Sequence, residues 1–385
     1  MKTNLLFSFL IAAVLTSSCN LNQNHAAAKL ADTSGHWALI PFNKVDSLNP
    51  ILSPGSGSFI DPVLKKKVLW EAKDVFNPAI VNRDGKIYML YRAQDSAGTS
   101  RIGLAVSTDA LHFTRMPAPV LYPDNDPFKK LEWQGGCEDP RVIEDDKGTY
   151  YMTYTAYDGK IARLLVATST DLTHWKKYGS VFAKAYKGKY APLWSKSGSI
   201  VSTYKDGKIT ATKINGKYWM YWGDTQIWTA TSDDLINWTP VEMRQGEHPP
   251  VKLRSQALNM PLLKIALPTR DGKFDSDLVE SGPPAMLTDR GILLIYNSRN
   301  VPAIGDKTLS EGTYAASQVL FDRNDPTKIL HRLGTYFMKP EKPYELTGQV
   351  NQVCFVEGLT QFKNKWYLYY GTADSKIAVA IGGEK

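Results

Sequence analysis

Asp84-Gly85-Lys86-Ile87-Tyr88-Met89-Leu90-Tyr91 is a tight turn followed by a short strand that closes on a tyrosine, and this element decides the fold because it returns four times. It recurs as Lys147-Gly148-Thr149-Tyr150-Tyr151-Met152-Thr153-Tyr154 and as Asn215-Gly216-Lys217-Tyr218-Trp219-Met220-Tyr221. The fourth copy is Asp289-Arg290-Gly291-Ile292-Leu293-Leu294-Ile295-Tyr296, and the fifth is Asn364-Lys365-Trp366-Tyr367-Leu368-Tyr369-Tyr370. Their closing tyrosines stand 63, 67, 75 and 74 residues apart. A recurring turn and strand at such a period marks a repeat architecture built from one supersecondary unit. Aromatic and β-branched residues between Gly, Asn and Asp turns mark that unit as β.

A second element follows the first three copies. It reads Ala105-Val106-Ser107-Thr108-Asp109-Ala110-Leu111-His112-Phe113, then Ala167-Thr168-Ser169-Thr170-Asp171-Leu172-Thr173-His174-Trp175, then Ala230-Thr231-Ser232-Asp233-Asp234-Leu235-Ile236-Asn237-Trp238. Each is a strand end, an Asp-containing turn and an aromatic that covers a hairpin, so these aromatics read as packing residues. No long amphipathic helix interrupts the strands. The pattern predicts an all-β fold: five four-stranded blades around an axis, a five-bladed β-propeller. A pair of packed sheets is the rival, and five similar units argue against two unequal sheets. The inner strands of a propeller converge on a funnel, so polar residues far apart in sequence meet there.

Outside the repeats, residues 1–18 read as a secretory signal, with Lys2 ahead of the apolar run Leu5 to Leu15. That run is too short to span a bilayer. It ends Leu15-Thr16-Ser17-Ser18-Cys19, which resembles a bacterial lipobox with Cys19 as the lipidated first residue. Ordinary cleavage to a free secreted protein is the alternative. Residues 19–35 then read as a flexible tether and 36–385 as one catalytic domain. The expected address is the bacterial cell envelope, at the outer membrane surface or the periplasmic face, with the lipid as the only membrane contact. The oligomeric state is left open.

The formal net charge of +8 is spread over scattered lysines without a basic run, which excludes a nucleic-acid partner and leaves a solvated basic surface. Ten Trp and 20 Tyr suit a protein that stacks sugars. Cys137 and Cys354 read as two buried thiols, although pairing is open to them. No Cys/His spacing suggests zinc, and no metal or organic cofactor is expected.

The stretch Gly136-Cys137-Glu138-Asp139-Pro140-Arg141 places three charges in four positions ahead of a strong strand. Charges in such a place need partners or a function. Asp139, Glu280 and Asp374 fall near inner strands, with Glu242 and Glu357 behind them. Two opposed carboxylates are what glycoside hydrolysis requires, an acid for the leaving oxygen and a base for water.

At these residues the chain resembles glycoside hydrolase family 130, the β-mannoside phosphorylases and β-1,2-mannosidases. The resemblance covers roughly residues 70–382. It rests on Phe76-Asn77-Pro78-Ala79, Tyr91-Arg92-Ala93, Gly136 through Arg141, Gly282-Pro283-Pro284 and Tyr369-Tyr370-Gly371-Thr372-Ala373-Asp374. It implies a five-bladed propeller with a mannoside in the central pocket. It also implies Asp139 as general acid, acting directly or through the 3-hydroxyl of the sugar. Asn77, Arg92 and Asp374, with Arg141 beside them, match substrate-holding positions.

The departures from the family pattern matter as much. Where the phosphorylases carry a lysine before the Gly-Pro-Pro turn, this chain has Glu280. Asn297 follows Tyr296 in place of a histidine, and Tyr221-Trp222-Gly223-Asp224 lacks the expected arginine. A carboxylate repels phosphate and is able to activate water. The expectation is therefore an inverting hydrolase of β-mannosides, β-1,2-linked, with Glu280 as base and Glu242 as its companion. A phosphate-dependent phosphorylase and a non-catalytic glycan-binding propeller are the rivals.

Overall fold

Each copy of the repeated element becomes the second strand of an antiparallel blade, and five such blades form a β-propeller. The second strands are Lys86–Gln94, Tyr150–Tyr157, Lys217–Trp222, Gly291–Arg299 and Lys365–Thr372. On their inner side lie Asp74–Arg83, Gly136–Glu144, Ser199–Ile200, Leu278–Ser281 with Met286–Thr288, and Cys354–Phe362. The computed structural model describes residues 37–247 and 262–382. The expected signal segment 1–18, Cys19 and the tether 19–35 lie outside the described residues.

The ring is closed by a strand that the repeat does not contain. Phe42–Lys44 pairs antiparallel with the last strand, Lys376–Gly382, with Phe42 opposite Gly382 and Lys44 opposite Ala380. Blade 5 therefore takes its outer strand from the start of the described chain, which ties the two ends together. Around the ring, blade 1's inner strand packs against those of blades 2 and 5. Blades 4 and 5 are joined by Asn297, whose side chain exchanges two hydrogen bonds with the Val356 backbone (2.9 and 2.8 Å).

The closing tyrosines recur for a reason the structure makes plain. Tyr91, Tyr154, Tyr296 and Tyr370 are buried, and each donates its hydroxyl to a buried carboxylate: Glu71 (2.9 Å), Glu132 (2.8 Å), Asp275 (2.8 Å) and Glu345 (2.9 Å). Each carboxylate also meets a cation: Arg115 (2.8 Å), Lys177 (2.6 Å), Arg332 (2.6 Å) and Lys44 (2.7 Å) respectively. Burying a tyrosine hydroxyl or a carboxylate is costly without partners, and here both are satisfied at once. Lys44 lies on the ring-closing strand, so the same triad pins the closure. Blade 3 departs, with Tyr221 donating to the Pro326 carbonyl (2.8 Å). Cys137 and Cys354 are free and buried. Burial, with Glu132 or Glu345 alongside, pushes each thiol well above its ordinary range.

The second element is a turn of fixed design. Ser107, Ser169 and Ser232 each accept backbone N–H bonds from the following Asp and the residue after it, while Asp109, Asp171 and Asp234 cap the next two N–H groups. Trp175 and Trp238 donate their indole N–H back to Leu172 and Leu235. The aromatics are thus packing residues, as expected.

A hairpin, Ser202–Lys205 and Lys208–Ala211, leaves blade 3 and lies across the far ends of the other inner strands. Thr210 pairs with Glu144 of blade 2 and Ser202 with Met286 of blade 4. Gly207 abuts Asn82 of blade 1 and Gln361 of blade 5. That end of the axis is plugged. The open end is where the inner strands begin.

Candidate active site

The site is made by interruptions of strand geometry. In blade 1 Phe76 pairs with Arg92 and Pro78 with Tyr91, which leaves Asn77 as an extra residue. In blade 2 Glu138 pairs with Thr155 and Arg141 with Thr153, which leaves Asp139 and Pro140 opposite Tyr154 alone. In blade 5 Val356 pairs with Tyr370 and Gly358 with Tyr369, which leaves Glu357. Such bulges re-aim a side chain and collect next to active sites. Asn77 and Asp139 sit at φ 49° and 48°, and Asp374 at φ 50°. Asn and Asp are the non-glycine residues most tolerant of that region. Glycines make the room. Gly136 has φ 110°, and a Cβ there would strike the Ser100 backbone; a Cβ at Gly371 would strike the Asn77 amide oxygen.

These residues line a cavity of about 400 Å³ with Asn77, Arg92, Asp139, Lys196, Glu280 and Asp374 on its walls. Arg299, Glu311, Tyr314 and Phe355 are among its other lining residues. Asp139 is the hub. Its Oδ1 accepts from Asn77 Nδ2 (2.9 Å) and Arg92 Nη1 (3.1 Å), and its Oδ2 lies 3.6 Å from Lys196 Nζ. Arg92 also grips Glu138 (2.6 Å), and its guanidinium lies over the Phe76 ring, 4.6 Å from the centroid. Glu280 Oε1 is 3.8 Å from the same Lys196 nitrogen and accepts the Ser197 hydroxyl. Two oxygens held this close to one nitrogen are within about 7.5 Å of each other. Inverting glycosidases use about 6.5–9.5 Å between their carboxyls and retaining ones about 5–5.5 Å, so the bound admits both.

The carboxyls are driven apart in acidity. Burial works to raise Asp139, but Arg92, Lys196 and the Asn77 amide outweigh it and hold the carboxyl below its usual range. Burial raises Glu280, with Lys196 opposing. Asp374 is pushed up to about 6, by burial first and Asp139 second, against the pull of Arg92.

Of the residues singled out in the sequence, Asn77, Arg92, Asp139, Glu280 and Asp374 are brought together. Two are not. Glu242 lies outside the pocket: its Oε1 accepts from Tyr190 (2.5 Å) and Lys189 (2.9 Å), and those bonds lower its pKa. A carboxylate so occupied is no companion base to Glu280. Arg141 is not on the pocket wall either. Its side chain is 1% exposed, and it donates to the Gly282 carbonyl (2.7 Å) and the Ser281 carbonyl (2.6 Å), which leaves nothing for a sugar. Lys196 was not anticipated. It lies in an irregular stretch with no periodicity, yet it stands just ahead of blade 3's inner strand, the place that supplies pocket residues in the other blades. Among the described residues no group of His, Cys, Asp and Glu is arranged to hold a metal ion, and no helix is long and apolar enough to cross a membrane.

Comparison with known proteins extends these observations. The glycoside hydrolase 130 family, described as beta-1,4-mannooligosaccharide phosphorylase, matches residues 46–385. A 1,2-beta-oligomannan phosphorylase of Thermoanaerobacter sp. is 31% identical over 333 residues, covering 83% of this chain and 94% of that protein. A glycosyl hydrolase structure from Bacteroides ovatus is 47% identical with a TM-score of 0.83, covering 90% of this chain and 95% of that one. Another solved structure, 46% identical with a TM-score of 0.84, covers 90% of this chain and 95% of its own. Its description states that the family of mannoside phosphorylases contains glycoside hydrolases that target β-1,2 mannosidic linkages in Candida mannan.

Proposed function

The chain belongs to glycoside hydrolase family 130, whose enzymes act on β-mannosides, and from that footing we propose that it is a hydrolase which releases mannose from β-1,2-mannosides with inversion. The observation that carries the reading is Glu280, a buried carboxylate facing the same cavity as Asp139, at a position where the sequence pattern of the phosphorylases has a lysine. Four carboxylates and three cations line the cavity, and Lys196 is already engaged by Asp139 and Glu280. A phosphate about 4 Å from Glu280 would be repelled by about 4 kcal/mol at an effective dielectric near 20. Millimolar binding is worth only about 4 kcal/mol. Water meets no such penalty.

In this mechanism Asn77, Arg92 and Asp374 hold the mannose at the cleaved end. Asp139 is ionised in the free protein, the wrong state for an acid. Sugar hydroxyls that take over the hydrogen bonds of Asn77 and Arg92, and displace water, tip the balance toward burial, and Asp139 then takes up a proton. It passes that proton to the leaving oxygen, directly or through the 3-hydroxyl. Glu280 accepts a proton from a water on the opposite face of the ring. Burial raises its pKa, which makes it the stronger base. The oxygen of that water becomes O1 of α-mannose.

A second reading, phosphorolysis, is favoured by Lys196 and by what the Thermoanaerobacter relative is said to do. One assay separates them: β-1,2-mannobiose with and without inorganic phosphate. Hydrolysis gives free mannose at one rate in both; mannose 1-phosphate as product would reject the proposal. The cell-envelope address through a lipid on Cys19 also belongs to the proposal and rests on the sequence.

A further inference from the structure

Arg141 and Glu357 are two deeply buried ionisable side chains beneath the pocket, with exposures of 1% and 0%, and burial pushes the Glu357 carboxyl well above its ordinary range against the pull of Arg141. Glu357 is the residue that the blade 5 bulge turns out of register. Its Oε1 stands 3.5 Å from Arg141 Nη1, and neither of its oxygens accepts a hydrogen bond from a described residue. The Arg141 fork is fully directed. Nε donates to the Gly282 carbonyl (2.7 Å), Nη2 to the Ser281 carbonyl (2.6 Å) and Nη1 to the Asp139 carbonyl (3.4 Å).

Those carbonyls belong to blades 2 and 4, which are not neighbours around the ring. Two are in the residues that follow Glu280, and the third is that of Asp139 itself. A planar guanidinium reads such a set of acceptors as no lysine does. A buried charged residue is often no more stabilising than an apolar one of the same volume, so stability does not account for Arg141 here.

We propose that Arg141, with the Glu357 carboxyl packed beside it, is a positioning residue that fixes the main chain of Asp139 against that of Glu280 and so sets the spacing of the two carboxylates across the funnel. The inference rests on the assignment of those two residues made above. Misplacing reacting groups by about 1 Å costs on the order of 100-fold in rate, which is the scale on which this tie acts.

The test uses the full-length protein with β-1,2-mannobiose. Arg141→Lys keeps the charge and loses the fork; Glu357→Gln keeps the shape and replaces the carboxyl by an amide. Expected are a fall in kcat of about 10- to 100-fold for Arg141→Lys and a smaller fall for Glu357→Gln. In both, KM stays within about threefold, because the pair does not face the sugar. The double variant should be no slower than Arg141→Lys alone, since the two act as one unit. Glu357→Gln serves alone if Arg141→Lys fails to fold. Wild-type kcat in a folded variant, or a raised KM with kcat intact, would overturn the proposal. Asp139→Asn and Glu280→Gln are run beside them: if either of these is active the catalytic assignment fails, whereas if both are inactive and Glu357→Gln is normal only the positioning role fails.

Discussion

Lys196→Met is the perturbation that probes the site most directly. The ammonium lies 3.6 Å from Asp139 and 3.8 Å from Glu280 and lowers the proton affinity of both. At an effective dielectric near 20, unit charges at that separation attract by about 4 kcal/mol, equivalent to about 3 pH units. A fifth of the Lys196 side chain is exposed, so solvent screens part of this, and about 1–2 units is the shift to expect. The sign follows from the charge. Without the cation both carboxylates cost more to ionise, so both keep their protons to higher pH. Whichever group each limb of the bell-shaped profile reports, both limbs move upward together. The assay is mannose release from β-1,2-mannobiose as kcat/KM across the pH range, wild type against variant. A profile that stays in place, moves to lower pH, or loses only one limb would refute the reasoning and remove Lys196 from between the two carboxylates.

Asp139→Asn cannot protonate a leaving group, and a rate loss of about 100-fold or more is expected; near-normal turnover by folded protein would reject it as the acid. Glu280→Gln should be nearly inactive in the same assay, because an amide does not take the proton from water. Early proton NMR of the reaction should show α-mannose first, whereas β-mannose would mean retention. Lys44→Met leaves Glu345 buried without its cation at the ring closure and should cost about 3–5 kcal/mol of stability, read from denaturant unfolding; an unchanged midpoint would place the closure elsewhere. Cys19→Ala should move the protein from the membrane fraction to the soluble one, and unchanged fractionation would end the lipid-anchor reading.

The second strand of every blade was legible because its turn, its alternation and its tyrosine survive as local pattern. The ring closure was not. Phe42–Lys44 is three residues long, too short for any periodicity, and its partner is more than 300 residues away in sequence. The pocket was half legible. Asn77, Asp139 and Glu280 stand 14, 15 and 16 residues before their closing tyrosines, and Glu357 stands 13 before its own. Lys196 stands 25 before Tyr221 because the plugging hairpin is inserted between them. Subtracting that hairpin would have put the lysine in line with the others. Arg141 and Glu242 misled for a common reason. A charged residue looks alike in sequence whether it faces a ligand or a backbone carbonyl, and only the folded chain shows that Ser281, Gly282, Lys189 and Tyr190 already occupy them.

The repeat and the site meet at one point in each of three blades. Asn77 bulges beside Tyr91, Asp139 bulges opposite Tyr154, and Glu357 bulges beside Tyr370. A strand can shift register by one residue, and such a slip turns every side chain to the other face. Here the tyrosine across from each bulge is fixed at its far end to a buried carboxylate that is itself paired with a cation. Slipping the second strand would tear a hydroxyl and an ion pair out of register together, leaving both without partners inside the blade. The triads that hold the blades outside the funnel therefore also hold the bulges inside it. That explains why a funnel crowded with charges keeps its geometry: the strain of the bulges is balanced by contacts well away from the sugar. Blade 3 lacks such a triad, and its inner strand is reduced to Ser199–Ile200. Its contribution to the pocket, Lys196, accordingly arrives from an irregular segment and is steadied by the two carboxylates it faces.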